Sequence, residues 1–422
     1  MQRTHRLLMI GVDHQALEAL PAHVDVTVVI GANARDIGLP VTREGVRMVF
    51  ADESRGVDPV LNALYRNGLT EFDAVYAHDD MSMMTAAAVG AVLGARAVPA
   101  RTVALFRDKF LQKQRLRQAG VIVARHELIE DIRELPTGWQ LPFERAVVKP
   151  VAGQATQSTF VVSNTAEVER ISRDCRARNV AARTFVVEEF IDGEELFADG
   201  IVSGGRMRFV ALGRYPQNCL KAVNDRSPVR TFTLDPISDK AYYNQALPVV
   251  EKSLATLGLA DGIFHMELFS SQYGVVFSEC AARRAGGPIR DQVRYKFGVD
   301  LAELGTMALL GSIEDITLSK KDGCVAGAFL PLVEGTLLDH PSEAELLTRE
   351  GVVGARIFVP RGLRTAAAGG NTFGRMGEFW VHAPTAAEAG ELLDAVSKWF
   401  AAKLVVLPLS PTMRELRALT LR

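Results

Sequence analysis

Residues 262–287 read GIFHMELFSSQYGVVFSECAARRAGG, and the rest of the chain can be organised around them. Two apolar runs, Ile263 to Phe269 and Val275 to Cys280, flank a turn at Gln272 to Gly274, a pattern that predicts an antiparallel hairpin. Each run carries one glutamate, Glu267 and Glu279. Side chains alternate between faces along a strand, so antiparallel pairing brings these carboxylates together when they share a face. Such a pair suits Mg²⁺, a hard cation that completes its shell with phosphate oxygens. The plainer alternative is an exposed pair on a solvated sheet face. Against it, the apolar neighbours imply a surface where carboxylates need compensating charge, and Arg283 and Arg284 follow Glu279 with Gly286-Gly287 behind them. Arginine there can fork onto a phosphate or a substrate carboxylate, or simply neutralise Glu279. His265 shares a strand face with Glu267, as a base or as a hydrogen-bond partner of a carboxylate.

Upstream lie the groups a triphosphate needs. Lys149 sits near the end of a predicted strand, AVVKP at 146–150, and Lys109 opens a predicted amphipathic helix over 108–119 that Gly120 closes. Either lysine can hold phosphate, and either alone can be a solvated surface charge. Between 121 and 129, VIVARHELI reads as one strand. Gly153 to Ser158 is a small-residue turn able to donate backbone N–H groups to phosphates, although it is not the GxxxxGK[ST] loop. Glu188, Glu189, Phe190 and Ile191 end a further strand, where a hinge can offer backbone groups and apolar side chains to a purine, with Glu195 placed for a ribose hydroxyl.

The first hundred residues alternate β-rich runs with helical stretches, which predicts a parallel α/β sheet; Asp79-Asp80 follows one of its strands as a substrate contact or a helix-start cap. GVDHQAL at 11–17 lacks GxGxxG, against a dinucleotide oxidoreductase. The last hundred residues read as a mixed α+β accessory region. A chain of 422 residues exceeds one ordinary core, and the expected division is 1–104, 105–310 with a small lobe at about 120–190, and 311–422. With 48 Lys and Arg against 50 Asp and Glu, no whole-chain field draws in nucleic acid or an anionic membrane. No apolar run reaches the roughly 18 residues of a membrane span, no cleavable leader is recognisable, and four scattered cysteines fit a reducing, cytoplasmic setting.

Taken in order, RDK at 107–109, VVKP at 147–150, Ser158, VVEEFIDGEE at 186–195, GIFHMELF at 262–269 and SECAARRAGG at 278–287 resemble the ATP-grasp superfamily. GARIFVPRG at 354–362 is similar to its carboxylate-amine ligase branch, the L-amino-acid (dipeptide) ligases. The resemblance implies an α/β plus α+β fold: an N-terminal parallel-sheet domain, a two-lobed ATP-binding region and a C-terminal α+β lid. It implies ATP with Mg²⁺, or Mn²⁺ in its place. Lys109, Lys149 and Ser158 correspond to the phosphate site, Glu188 to Ile191 to the adenine hinge, Glu195 to the ribose contact, Glu267 and Glu279 to the metal ligands, and Arg283 to the arginine that steadies the acyl phosphate. The implied reaction activates an amino-acid carboxylate as an acyl phosphate and condenses it with an amine, releasing ADP and phosphate. The alternative is thioester formation on the phosphopantetheine of an acyl carrier protein. Partners are then amino acids or such a carrier, and a homodimer follows family habit. The chain departs from the family at Ala281, where Asn usually helps hold a second metal.

Overall fold

Short apolar runs near the N-terminus form a parallel sheet in the order Arg47–Phe50, Val24–Ile30, His5–Ile10, Ala74–Ala77, with helices His14–Ala19 and Val57–Arg66 in two of the connections. The structure is a computed structural model, and it describes residues 4–31, 43–52, 55–153, 156–225, 227–313, 315–365 and 374–412. The Ala- and Met-rich helix Met83–Leu93 buries most of its residues and stops at Gly94, which adopts the left-handed conformation favoured by glycine. One apolar core runs from this sheet through Val89, Val103 and Phe106 to Leu196, Phe264 and Leu268 of the central region. The loops at the ends of the parallel strands are thereby held against the large sheet.

Three antiparallel sheets follow, one of them a small three-stranded sheet in the order Arg364–Thr365, Gly335–Asp339, Val405–Leu407, and the other two form the cleft. The smaller has the order His126–Ile129, Phe185–Glu189, Ala146–Pro150, Phe160–Val162. The larger has eight strands, in the order Gly274–Ala281, Gly262–Ser271, Gly193–Ser203, Arg206–Tyr215, Arg230–Thr233, Cys324–Pro331, Arg375–Ala383 and Val352–Ile357. Its first hairpin turns at Gly204 and Gly205, both at positive φ. Across residue 311 the hydrogen bonding is continuous, since Arg230–Thr233 pairs with Cys324–Pro331. Residues 190–192 carry the chain from the small sheet to the large one, so a cleft opens between them.

Two sequence expectations need correction. The run at 121–129 is not one strand. Ile122 instead accepts a hydrogen bond from Phe277 N–H at the edge of the large sheet, and only His126–Ile129 enters the small one. Helix Lys109–Gln118 also differs from a simple apolar-faced amphipathic helix, because its buried residues are Gln112, Lys113 and Leu116. The two polar residues complete the exposed ladder of edge strand Gly274–Ala281. Gln112 donates to Cys280 C=O at 2.8 Å and accepts from Cys280 N–H at 2.9 Å, while Lys113 donates to Ser278 C=O.

Candidate active site

Register decides the centre of the cleft. Glu267 lies directly opposite Glu279, and His265 opposite Asp199, so Glu267, Glu279, His265, Asp199 and Glu195 share one face of the large sheet. That face lines a cavity of about 420 Å³ whose other wall is the small sheet, with Lys149, Val147 and Glu188. In the small sheet Val147 pairs with Glu188 and Lys149 with Val186, which puts Lys149 and Glu188 on the cleft side together.

Asp108 caps helix Lys109–Gln118 by accepting from Phe110 N–H at 3.0 Å and Leu111 N–H at 2.9 Å. This fixes Lys109 at the helix start, where the backbone also favours anions. Lys109 Nζ donates to Gly153 C=O at 2.9 Å and stands 3.6 Å from Glu279. Lys149 Nζ lies 3.2 Å from Glu188 and 3.3 Å from Glu279. Burial opposes its charge, but Glu188 and Glu279 outweigh burial and hold its pKa above the ordinary lysine value. Burial likewise opposes ionisation of Glu279, and Lys109 and Lys149 overcome it to keep the carboxyl well below the usual range. Three lysines and two glutamates are thus interleaved, Lys113 completing the set at 2.8 Å from Glu188.

Of the groups expected on the nucleotide side, Glu189, Phe190 and Ile191 line the cavity, with Ala124, Val147 and Phe277 adding apolar surface. The Glu189 side chain turns away to Arg125, through bonds of 2.9 and 2.8 Å. Phe190 carries the Arg145 guanidinium over its ring at 3.6 Å. Glu188 lines the cavity with both carboxylate oxygens taken by lysines, Lys113 and Lys149. Glu195 is buried and accepts from Asn218 Nδ2 at 2.7 Å and Cys219 N–H at 2.9 Å; burial and then Glu267 push its pKa up to about 8. In the phosphate loop Gln154 and Ala155 fall outside the described residues. Thr156, Gln157 and Thr159 line the cavity and Ser158 does not. Thr156 and Ser158 both hold positive φ, 59° and 54°, an uncommon conformation for side-chain-bearing residues.

His265 is not placed as a base. Its Nδ1 is 3.0 Å from Asp199 and its Nε2 3.6 Å from Glu267. Burial would lower its pKa, but Asp199 and Glu267 raise it to about 10, so the ring is a cation with no lone pair to accept a proton. Arg283 and Arg284, adjacent in sequence, take separate partners in the N-terminal domain. Arg283 donates from Nε to Asp80 at 2.7 Å, and Arg284 makes bonds of 3.3 and 3.2 Å to Asp13. Asp79 caps the following turn through Met81 and Ser82 N–H.

Lys113, Asp199, Asn218 and Arg375 escaped the sequence reading. Lys113 had a signal, since it lies four residues after Lys109 and so shares its helix face. Asp199 alternates with Glu195 along one strand.

The residues present fit a magnesium nucleotide. Glu267 and Glu279 are paired in register on a cavity wall, with two lysines across from Glu279. Among the described residues no three His, Cys, Asp or Glu side chains form a metal site by themselves, as expected where phosphate supplies the remaining oxygens.

Residues 143–291 match the family model of the ATP-grasp domain. An L-arginine-specific L-amino acid ligase of Bacillus subtilis is 22% identical over 305 residues, covering 67% of this chain and 71% of that one. The crystal structure of an L-amino acid ligase from Bacillus licheniformis superposes with TM-score 0.78 at 17% identity, covering 97% of this chain and 100% of the other. A carboxyaminoimidazole ribonucleotide synthase from Aspergillus clavatus, crystallised with ATP, gives TM-score 0.67 at 16% identity over 94% and 99% of the two chains.

Proposed function

From the premise that this chain carries an ATP-grasp domain within a fold shared with L-amino acid ligases, we propose that it is an ATP-dependent carboxylate-amine ligase acting on amino acids. The observation that carries the proposal is the convergence of Lys109 and Lys149 on Glu279, with Glu267 opposite it in register, on one wall of a cavity. Lys109 and Lys149 exchange their carboxylate partners for phosphate oxygens when the nucleotide enters. Glu267 and Glu279 would hold Mg²⁺, which would supply neutralising charge to the triphosphate. Ile191 and Phe190 bound the base.

A substrate carboxylate oxygen attacks the γ-phosphorus and ADP departs, leaving an acyl phosphate. Lys149 balances charge on the group in transfer. Arg283, fixed by Asp80, faces the oxygen that gains charge when the amine attacks the acyl carbon. Phosphate then leaves and takes up the proton that the amine sheds. The His265 imidazolium keeps Glu267 oriented instead of removing that proton. None of the relatives described is named for thioester formation on a carrier protein. Among the described residues no helix is long and apolar enough to cross a membrane.

The test is ADP and phosphate release from MgATP with single and paired amino acids, followed by mass analysis of products. Release that depends on amino acids and yields a condensed product is expected. Equal ATP hydrolysis with and without amino acids would overturn the proposal.

A further inference from the structure

One member of the RDK run at 107–109 still has no task. Asp108 caps its helix and Lys109 faces the cavity. The Arg107 guanidinium, by contrast, makes no hydrogen bond or ion pair with any of the described residues, and its Nε is buried without a partner. Buried polar groups are nearly always paired, so an orphaned guanidinium nitrogen calls for something that reaches it from outside the chain.

The surroundings say what that is. Arg107 lines a side cavity of about 30 Å³. Lys109, Gly153, Glu279, Ala281 and Arg283 line this space and the main cavity alike, so they form the partition between the two. Ala281 gives that partition only a methyl group. Met81 also lines the side cavity and is 66% exposed, which marks an outer rim. The volume is roughly twice the 10–15 Å³ that one water needs. It suits a compact oxyanion and excludes a nucleotide or an amino acid.

Charge selects the same class of ligand. Lys109 is matched by Glu279 at 3.6 Å and Arg283 by Asp80 at 2.7 Å, which leaves Arg107 as the surplus cation of the side cavity. Its planar fork of N–H donors fits two oxygens of a phosphate. In the reaction argued above, phosphate is freed beside Lys109 and Arg283 while ADP still occupies the cavity towards Phe190 and Ile191. We propose that the side cavity holds the phosphate product after transfer, with Arg107 as its fork, so that phosphate and ADP are bound together on opposite sides of the partition. The identity of this ligand rests on the ligase reading, and the anion site itself rests on Arg107.

The test titrates inorganic phosphate by calorimetry into the full-length protein preloaded with MgADP. KM for ATP is measured separately, from ADP release with the best-used pair of standard L-amino acids. Arg107→Gln should weaken phosphate binding roughly 10- to 100-fold, the worth of a charge-assisted hydrogen bond, and leave KM for ATP unchanged. Arg107→Lys, which keeps the charge and loses the fork, should fall between. No phosphate binding to the unaltered protein, or equal binding to it and to Arg107→Gln, would overturn the assignment. A parallel rise in KM for ATP would also overturn it, by moving Arg107 to the nucleotide. Arg107-dependent phosphate binding without amino-acid-dependent ADP release would support the anion site and remove the ligase reading.

Discussion

Lys113 and Lys296 are both fully buried, and their immediate surroundings are nearly the same. Each comes from a helix, donates to a backbone carbonyl and meets a carboxylate at 2.8 Å: Lys113 with Ser278 and Glu188, Lys296 with Gly323 and Asp235. The difference lies one bond further out. The second oxygen of Glu188 holds Lys149, which faces the cavity and reaches Glu279. Asp235 instead takes Lys320 at 3.0 Å and the Ile237 N–H at 2.9 Å, and none of these groups lines the cavity. Burial and pairing alone therefore do not distinguish a functional charge from a strut. What distinguishes them is whether the partner's remaining valence ends in protein or in a cavity.

The strut should show the largest effect, and on stability only. Lys296→Met is expected to cost about 3–5 kcal/mol in urea unfolding, the usual loss on breaking a buried pair, with KM for ATP unchanged; a weaker ATP interaction would break the comparison. Lys149→Ala should do the reverse. Turnover per unit KM for ATP should fall roughly 10²–10³-fold, as when one charge-stabilising donor is lost, with less loss of stability than Lys296→Met.

Lys113→Met sharpens the contrast through pH, where the expected change is the smallest of the three. Burial lowers the Lys113 pKa to about 8 from the ordinary lysine value of 10.5, against the pull of Glu188. Between those values the unfolded chain binds more protons at this site than the folded one, so this residue makes stability rise with pH across that window. The stability difference between the unaltered protein and Lys113→Met should therefore shift in favour of the unaltered protein from pH 8 to 10.5. Parallel curves would remove Lys113 from this account.

Local periodicity made much of this molecule legible. The hairpin Gly262–Ser271 to Gly274–Ala281 and the strand Ala146–Pro150 that carries Lys149 stand where alternation put them. Hairpin register then sufficed to bring Glu267 opposite Glu279. Long-range satisfaction of polar groups was not legible. Gln112 and Lys113 looked like the solvated side of a helix because the backbone groups they complete lie 168 and 165 residues away. Asp199 behind His265 fixes that ring's charge, and a one-dimensional reading saw only a histidine beside a glutamate. Arg283 and Arg284 could be read as forks for a phosphate or substrate carboxylate or as neutralising Glu279, and only the fold shows loops of the N-terminal sheet claiming them separately.

The two hydrogen bonds between the Gln112 amide and Cys280 tie helix Lys109–Gln118 to the strand that carries Glu279. Lys109 is thereby fixed to the Glu279 strand, while its N–H bonds Val151 C=O at 2.9 Å and its Nζ bonds Gly153 C=O at 2.9 Å, in the segment that follows Lys149. The helix start is a rivet that joins the strand of Glu279 to the chain leaving the strand of Lys149.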